Sequence, residues 1–327
     1  MKNPTYSIVV PAYNEEECLP YFFEKVIPLF EKTGEEFEII IVNDGSKDRT
    51  EEIIKEQCEK DSRITGISFS RNFGQQAAFL AGLKEAKGQA VIAMDADLQD
   101  PPEVALQMIE KWKEGFDIVH GRRKSRPKES FFKKATARLY YKFLHRISYA
   151  KVPENVGDFK LYSRKAVDAI ISLPEHDRLL RAQAAWVGFK QTFIDFDRPA
   201  REIGETKYTL KKMVKLASDG IISNSDYPLT LALKSGILLS VLSLACFITF
   251  IVLAATGVMT DLLPWLFPTI GALFGWNLTV KGLSDIYTAR IYNEVKNRPV
   301  YIIKEKFHAE REDNTPDRKR SFFSLKK

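Results

Sequence analysis

The chain has 327 residues, with 49 Lys and Arg against 43 Asp and Glu and a formal net charge of +6, long enough for one large domain or two ordinary ones. The positive excess is modest, no long basic block precedes the tail, and neither an aromatic-rich RNA-binding signature nor zinc-finger spacing is present. A surface facing anionic lipid or phosphate fits better than a nucleic-acid binder, so no nucleic-acid partner is expected.

Cys18, Cys58 and Cys246 are odd in number and scattered. They read as buried or lipid-facing thiols of a reducing compartment. One lysine precedes the first apolar run and no signal-peptide core stands there, so the first half is expected to stay in the cytosol.

In chain order, a strand over 7–10 ends at Pro11-Ala12-Tyr13-Asn14-Glu15-Glu16. The helix after it has Leu19, Phe22, Phe23, Val26 and Leu29 on one face. A wholly apolar strand over 37–42 ends at Asn43-Asp44-Gly45-Ser46, and a helix starts near Thr50 with acids in its first turn. A strand over 64–69 closes at Ser70-Arg71-Asn72-Phe73-Gly74, and a helix over 75–86 follows. Strand and helix in regular succession predict a parallel sheet with helices on both faces. Each strand ends in a polar cluster, so these clusters line one edge of the sheet. No Gly-x-Gly-x-x-Gly follows the first strand and no Walker lysine loop is present, which counts against NAD-type and P-loop sites.

The next strand, 91–94, runs into Asp95-Ala96-Asp97-Leu98-Gln99-Asp100-Pro101-Pro102. Prolines cannot continue a ladder, so the strand stops near Asp97. Two carboxylates on alternate residues repel unless a cation or a ring of donors sits between them. A hard divalent metal, Mg²⁺ or Mn²⁺, holding a diphosphate would satisfy that need; the alternative is a loop of solvated acids. A helix over 103–113 and a strand over 116–120 follow, the latter ending at Gly121-Arg122-Arg123.

Residues 131–147 read as a basic amphipathic helix, with Phe132, Ala135, Leu139, Phe143 and Ile147 in one stripe flanked by Lys134, Arg138, Lys142 and Arg146. Residues 207–221 repeat that pattern. Both fit either ordinary core packing or an anionic membrane surface. Past Pro228 come two apolar runs, 235–260 and 262–280, each near the ~20 residues that cross a bilayer. Two antiparallel spanning helices are predicted, since lipid leaves backbone polar groups no other partner. The connection 257–261 has no Lys or Arg while both flanks are basic, so both termini are expected to face the cytoplasm. From about 309 onward the tail is expected to be disordered.

Taken together, Pro11-Ala12-Tyr13-Asn14-Glu15, Val42-Asn43-Asp44-Gly45-Ser46, Ser70-Arg71-Asn72-Phe73-Gly74 and the Asp95–Pro102 run resemble the GT-A-fold glycosyltransferases of family 2. The likeness is greatest to the polyprenyl-phosphate sugar transferases, the bactoprenol glucosyltransferases and dolichol-phosphate mannose synthases. Gly157-Asp158-Phe159-Lys160-Leu161, Trp186-Val187-Gly188-Phe189, Gly204-Glu205-Thr206-Lys207-Tyr208 and the stretch from Arg290 to Pro299 extend the resemblance to residue 304.

The resemblance implies an α/β fold, a Rossmann-like GT-A catalytic domain with a mainly parallel sheet, plus two transmembrane α-helices. The expected divisions are a catalytic domain over 1–205, juxtamembrane helices over 206–230, a transmembrane hairpin over 231–285 and a cytosolic C-terminal segment over 286–327. It also implies roles. Pro11, Tyr13, Glu15, Val42 and Asp44 match the nucleotide-base and ribose site, and Asp95 and Ala96 the diphosphate-sugar end. Asp97 and Gln99 match metal ligands for Mg²⁺ or Mn²⁺. Arg122, Arg201 and Lys207 match phosphate-contacting cations, Asp158 the acid proposed as catalytic base, and Arg71 a motif facing the reaction centre.

The implied activity is transfer of one sugar, glucose from UDP-glucose first, to undecaprenyl phosphate with inversion, at the cytosolic face of the cell membrane. GDP-mannose, UDP-GlcNAc and other UDP-sugars are rival donors. A processive glycan synthase and a non-catalytic nucleotide-sugar-binding membrane protein are rival functions, and a homo-oligomer is left open. A lipid monophosphate has a second pKa near about 6 and so needs little help from a base; Asp158 is expected to orient the acceptor or adjust its last proton. Two departures stand out. Asp285-Ile286-Tyr287 replaces the family's Gly-Glu-Tyr, with Lys281 inside the usual apolar stretch; and Gln183-Ala184-Ala185-Trp186 lacks the Arg of the processive Gln-x-x-Arg-Trp motif, which favours one sugar per cycle.

Overall fold

The computed structural model describes residues 4–124, 156–175, 179–197, 227–256 and 263–308. The predicted amphipathic helices over 131–147 and 207–221, with Arg201 and Lys207, lie outside them, as does the polar tail.

The first half follows the predicted succession: β1 (Tyr6–Ala12), α1 (Cys18–Glu31), β2 (Phe37–Asn43), α2 (Thr50–Lys60), β3 (Ile64–Phe69), α3 (Gln75–Glu85), β4 (Ala90–Ala93), α4 (Pro102–Lys113) and β5 (Ile118–Arg123). β1 pairs in parallel with both β2 and β4, and β2 with β3. The β1–β4 register ends at Val9↔Ala93 while β1–β2 runs on to Ala12↔Asn43. Pro11 thus lies past the last β4 pair, where its missing N–H breaks no ladder bond on that side. These central strands are buried on both faces, which is why they read as unbroken apolar runs. β5 starts at Ile118 and runs through Arg123, so Gly121-Arg122-Arg123 belongs to the strand instead of following it.

The second half departs from a purely parallel sheet. β6 (Val156–Ser163), which the sequence presented as a motif only, inserts between β4 and β5 and is antiparallel to both. α5 (Arg164–Ser172), α6 (Leu180–Trp186) and β7 (Gln191–Phe196) follow, with β7 parallel to β5. Among the described residues the sheet has eight strands in the order β7-β5-β6-β4-β1-β2-β3-β8. One face packs on α1, α2 and α4, burying Leu19, Phe22, Ile54 and Met108. The other packs on α3, α5 and α6, burying Phe79, Val167 and Leu180. The result is an α/β mixed sheet of GT-A-like design covered on both faces.

Two long helices follow, α7 (Tyr227–Ala255) of 29 residues and α8 (Leu263–Val295) of 33, packed on each other. Lys234 is the sole charge in the sequence of α7. Counting only residues whose side chains are described, no helix is long and apolar enough to cross a membrane. The chain then returns to the sheet as β8 (Ile303–Phe307), antiparallel to β3. Lys304 pairs with Glu51 at 2.7 Å and Lys306 with Glu85 at 2.5 Å. Tyr301 stacks on Phe69 with ring centroids 4.9 Å apart.

Candidate active site

The polar clusters predicted at the strand ends do converge, and each is built by local backbone rules. Asn14 takes a left-handed conformation (φ 55°) after β1; its N–H donates to Ser46 Oγ at 3.0 Å, and its Oδ1 accepts Lys47 N–H at 2.9 Å. Glu15 N–H donates to Thr50 Oγ1 at 2.9 Å. The loops after β1 and β2 are thereby bound together. Gly45 (φ 66°) has the Arg71–Asn72 backbone where a Cβ would stand, with Asn72 N 2.6 Å from that position. Only glycine admits both that φ and that approach.

Asp44 is buried and accepts the backbone N–H groups of Phe73 at 2.6 Å and Gly74 at 2.9 Å. Burial pushes its carboxyl above the usual range, and those two hydrogen bonds and Arg71 oppose the rise. Tyr13, the residue after β1, is 38% exposed. Val42 is fully buried in the core with Val9 and Phe79, so its side chain supports the loop from below. Arg71 is exposed and folds over the Phe73 ring at 4.0 Å, donating to Asn72 O.

After β4 the chain turns through Leu98, a non-glycine residue at φ 54°. Asp97 Oδ1 accepts Gln99 N–H at 3.1 Å, closing the turn locally. Strain of this kind persists where surrounding structure fixes it: Leu98 packs on the core, and Pro102 opens α4 directly afterwards. Asp95 is half-buried with its carboxyl enclosed. Burial, then Asp100, Asp97 and Asp158, hold its pKa well above the usual carboxylate range, against a lesser pull from Arg123. Ala96 and Gln99 are buried in the same turn.

β6 brings a further acid to this edge of the sheet. Its register with β4 ends at Ala93↔Lys160, and two more steps set Asp158 opposite Asp95. An antiparallel strand at this place is what allows the two acids to meet. Asp158 Oδ2 accepts Gln76 Nε2 at 3.1 Å and lies 3.7 Å from Arg181 Nη2. Lys160, two residues on along the same face, is wholly buried and its pKa is lowered to about 7, chiefly by burial.

Of the predicted phosphate cations within the described residues, Arg122 is held by Asp195, at 2.5 and 2.9 Å, and lies over the Phe193 ring. The next residue, Arg123, faces the acids, 3.8 Å from Asp100 and packed over Gly157. Sequence reading missed Arg123, Gln75, Gln76, Lys160 and Arg181. Strand alternation separates Arg123 from Arg122 only once the start of β5 is known; Lys160 lay inside the Gly157–Leu161 motif, and nothing in the sequence marked Gln75, Gln76 or Arg181.

The donor set suits a hard cation in an open position. Repelling carboxylates and a buried amide supply oxygen only, as Mg²⁺ and Mn²⁺ prefer. Among the described residues no group of three or more His, Cys, Asp or Glu side chains is placed to hold a metal ion by itself.

Residues 7–171 match the model of glycosyl transferase family 2. An uncharacterized glycosyltransferase of Bacillus subtilis (strain 168), YkcC, is 43% identical over 309 residues, covering 93% of this chain and 95% of that protein. The SfII prophage-derived bactoprenol glucosyl transferase of Shigella flexneri is 40% identical over 300 residues, 91% of this chain and 97% of its own. Among solved structures, glucosyl-3-phosphoglycerate synthase from Mycobacterium tuberculosis, in complex with Mn²⁺, UDP-glucose and phosphoglyceric acid, aligns with a TM-score of 0.48. That match has 18% identity and covers 67% of this chain and 79% of the other. Matched over its catalytic half by the family and along nine-tenths of its length by relatives near 40% identity, the chain belongs to glycosyl transferase family 2 and is a glycosyltransferase.

Proposed function

We propose that the enzyme transfers one sugar from a UDP-sugar, glucose in the first instance, to undecaprenyl phosphate at the cytosolic face of the cell membrane, with inversion at the anomeric carbon. The observation that carries this reading is the approach of Asp158 on β6 to Asp95 after β4. The donor's diphosphate is assigned to the Asp95–Gln99 turn, and the acceptor's phosphate oxygen to the neighbourhood of Asp158. The bactoprenol glucosyl transferase named above supports the lipid acceptor.

The residues that would hold a divalent ion are Asp97 and Gln99; bound there, it would offset charge on the departing diphosphate. Arg123, 3.8 Å from Asp100, is assigned the same electrostatic task, and Arg201 and Lys207 are further assigned to phosphate. Asp158 orients the acceptor, whose phosphate is already ionised near neutral pH.

The membrane assignment rests on α7 and α8. Ile237, Leu238, Val241, Ile248 and Ile251 of α7 are each more than half exposed, an apolar surface that lipid would cover. With basic residues flanking the pair and none in its connection, the catalytic domain and both termini are assigned to the cytoplasm.

The test offers purified protein, Mg²⁺ or Mn²⁺ and polyprenyl phosphate to a panel of labelled nucleotide sugars. A labelled lipid-phosphate sugar extractable into organic solvent supports the proposal, and the labelled donor that yields it names the sugar. Label found only in water-soluble product, or in a growing polymer, would overturn it.

A further inference from the structure

Gln75 and Gln76 stand side by side in the first turn of α3 and reach for different acids. Gln75 Nε2 donates to Asp95 Oδ1 at 2.7 Å, and Gln76 Nε2 donates to Asp158 Oδ2 at 3.1 Å. Consecutive residues on a helix point about 100° apart, so one turn can serve the ends of two strands.

The second amide is fixed at both ends. Gln76 Oε1 accepts the backbone N–H of Leu180 at 2.9 Å, the first residue of α6, a donor with no partner inside its own helix. That bond settles which end of the amide faces which way, leaving the NH₂ for Asp158. Arg181, next along α6, approaches the same carboxylate oxygen at 3.7 Å. Asp158 Oδ1 is buried and, among the described residues, has no hydrogen-bond partner. One oxygen is therefore anchored and the other is left to offer.

We propose that Gln76 is a positioning residue for sugar transfer: it fastens Asp158 by one oxygen to the start of α6 so that the other is presented to the acceptor, while Gln75 steadies Asp95 on the donor side. This rests on the reading of Asp158 as the acceptor-side acid. An ordinary surface amide bond would not be double-ended, nor would adjacent residues divide two acids between them. Among the described residues, the charged groups around the Gln76–Asp158 pair are Lys160 from β6, Arg181 from α6 and Asp95 after β4.

The experiment compares Gln76→Met, Gln76→Glu and Gln75→Met in the whole chain. It measures kcat, KM for each substrate, the donor dissociation constant and the pH profile. Gln76→Met is expected to lower kcat on the order of 10²-fold, the scale of a misplaced reacting group, with donor binding unchanged. Gln75→Met is expected to weaken donor binding roughly tenfold, about one charged hydrogen bond. Gln76→Glu sets carboxylate against carboxylate, so its activity should recover as pH falls and the new acid regains a proton to donate. A Gln76→Glu profile parallel to the parent's, or a Gln76→Met variant that loses only donor affinity, would overturn the proposal.

If the unsubstituted enzyme transfers no sugar to polyprenyl phosphate, it is the functional reading that fails. The positioning role is then judged from a crystal structure of Gln76→Met: Asp158 swung away from α6 supports it, and an unmoved Asp158 refutes it.

Discussion

Asp44 accepts the backbone N–H of Gly74 with both carboxylate oxygens, Oδ1 at 3.2 Å and Oδ2 at 2.9 Å. An acid at the end of β2 is thus the anchor of the loop that leads into α3, and through that helix of Gln75 and Gln76. Asp44→Ala leaves the Phe73 and Gly74 donors without this acceptor. A loss of about 1–3 kcal/mol of stability is expected, together with weaker donor binding. Chemical denaturation and donor titration read the two effects; a variant as stable as the parent would show that the loop holds itself.

Asp97 accepts Gln99 N–H and so closes its own turn, and its carboxylate is the oxygen ligand type that a hard divalent ion prefers. Asp97→Ala is expected to abolish turnover that depends on Mg²⁺ or Mn²⁺. Removal of the ion with a chelator should silence the parent enzyme to the same degree. Equal rates in variant and parent at saturating Mn²⁺ would take Asp97 out of the ligand set.

Asp158→Asn keeps an acceptor oxygen and the shape of the side chain while removing its charge. The expected outcome is a fall in kcat of about 10²-fold or more with a donor dissociation constant within twofold of the parent's, on the usual scale for a group acting on a proton or its partner. Should donor affinity alone decline, the acid belongs to the donor's half of the cleft.

His120 gives a pH prediction. It is fully buried, bonded to Gln191 at 2.8 Å and stacked on Phe193. Burial, assisted by Lys160, lowers its pKa from 6.5 to about 3. The unfolded chain takes up a proton near 6.5 that the folded chain refuses until about 3. Stability therefore falls as pH drops through that window, by up to about 1.4 kcal/mol per pH unit. Lys160 acts with the same sign in a separate window, from its ordinary 10.5 down to about 7. His120→Gln is expected to flatten the dependence between pH 6.5 and 3, as followed by denaturant midpoints; an unchanged slope would assign the acid sensitivity elsewhere.

Much of this was visible in the sequence, for reasons that can be named. Strands β1 to β4 are buried on both faces, and each ends abruptly in polar residues, so both their existence and the edge where those polar ends gather stood out. Direction did not. β6 mixes Asp158 and Lys160 with apolar residues and reads as a motif and not as a strand, so its reversed course was hidden although Asp158 itself was picked out. β8, Ile-Lys-Glu-Lys-Phe, is mostly charged and largely exposed, which masks an edge strand among surface residues. Arg122 and Arg123 differ by one step along β5, and a single step exchanges the faces of a strand. Without knowing where β5 began, the cation paired with Asp195 could not be told from the one beside Asp100.

The eighth strand lies beyond α8 in the chain, and that order constrains how the enzyme can be dissected. Any truncation meant to free the catalytic part by discarding the two long helices also removes the border of its sheet. The uncovered flank of β3, bearing Ile67 and Phe69, would then present bare N–H and C=O groups to other molecules. Such a fragment is expected to self-associate unless residues 303–307 are spliced back across a short artificial loop.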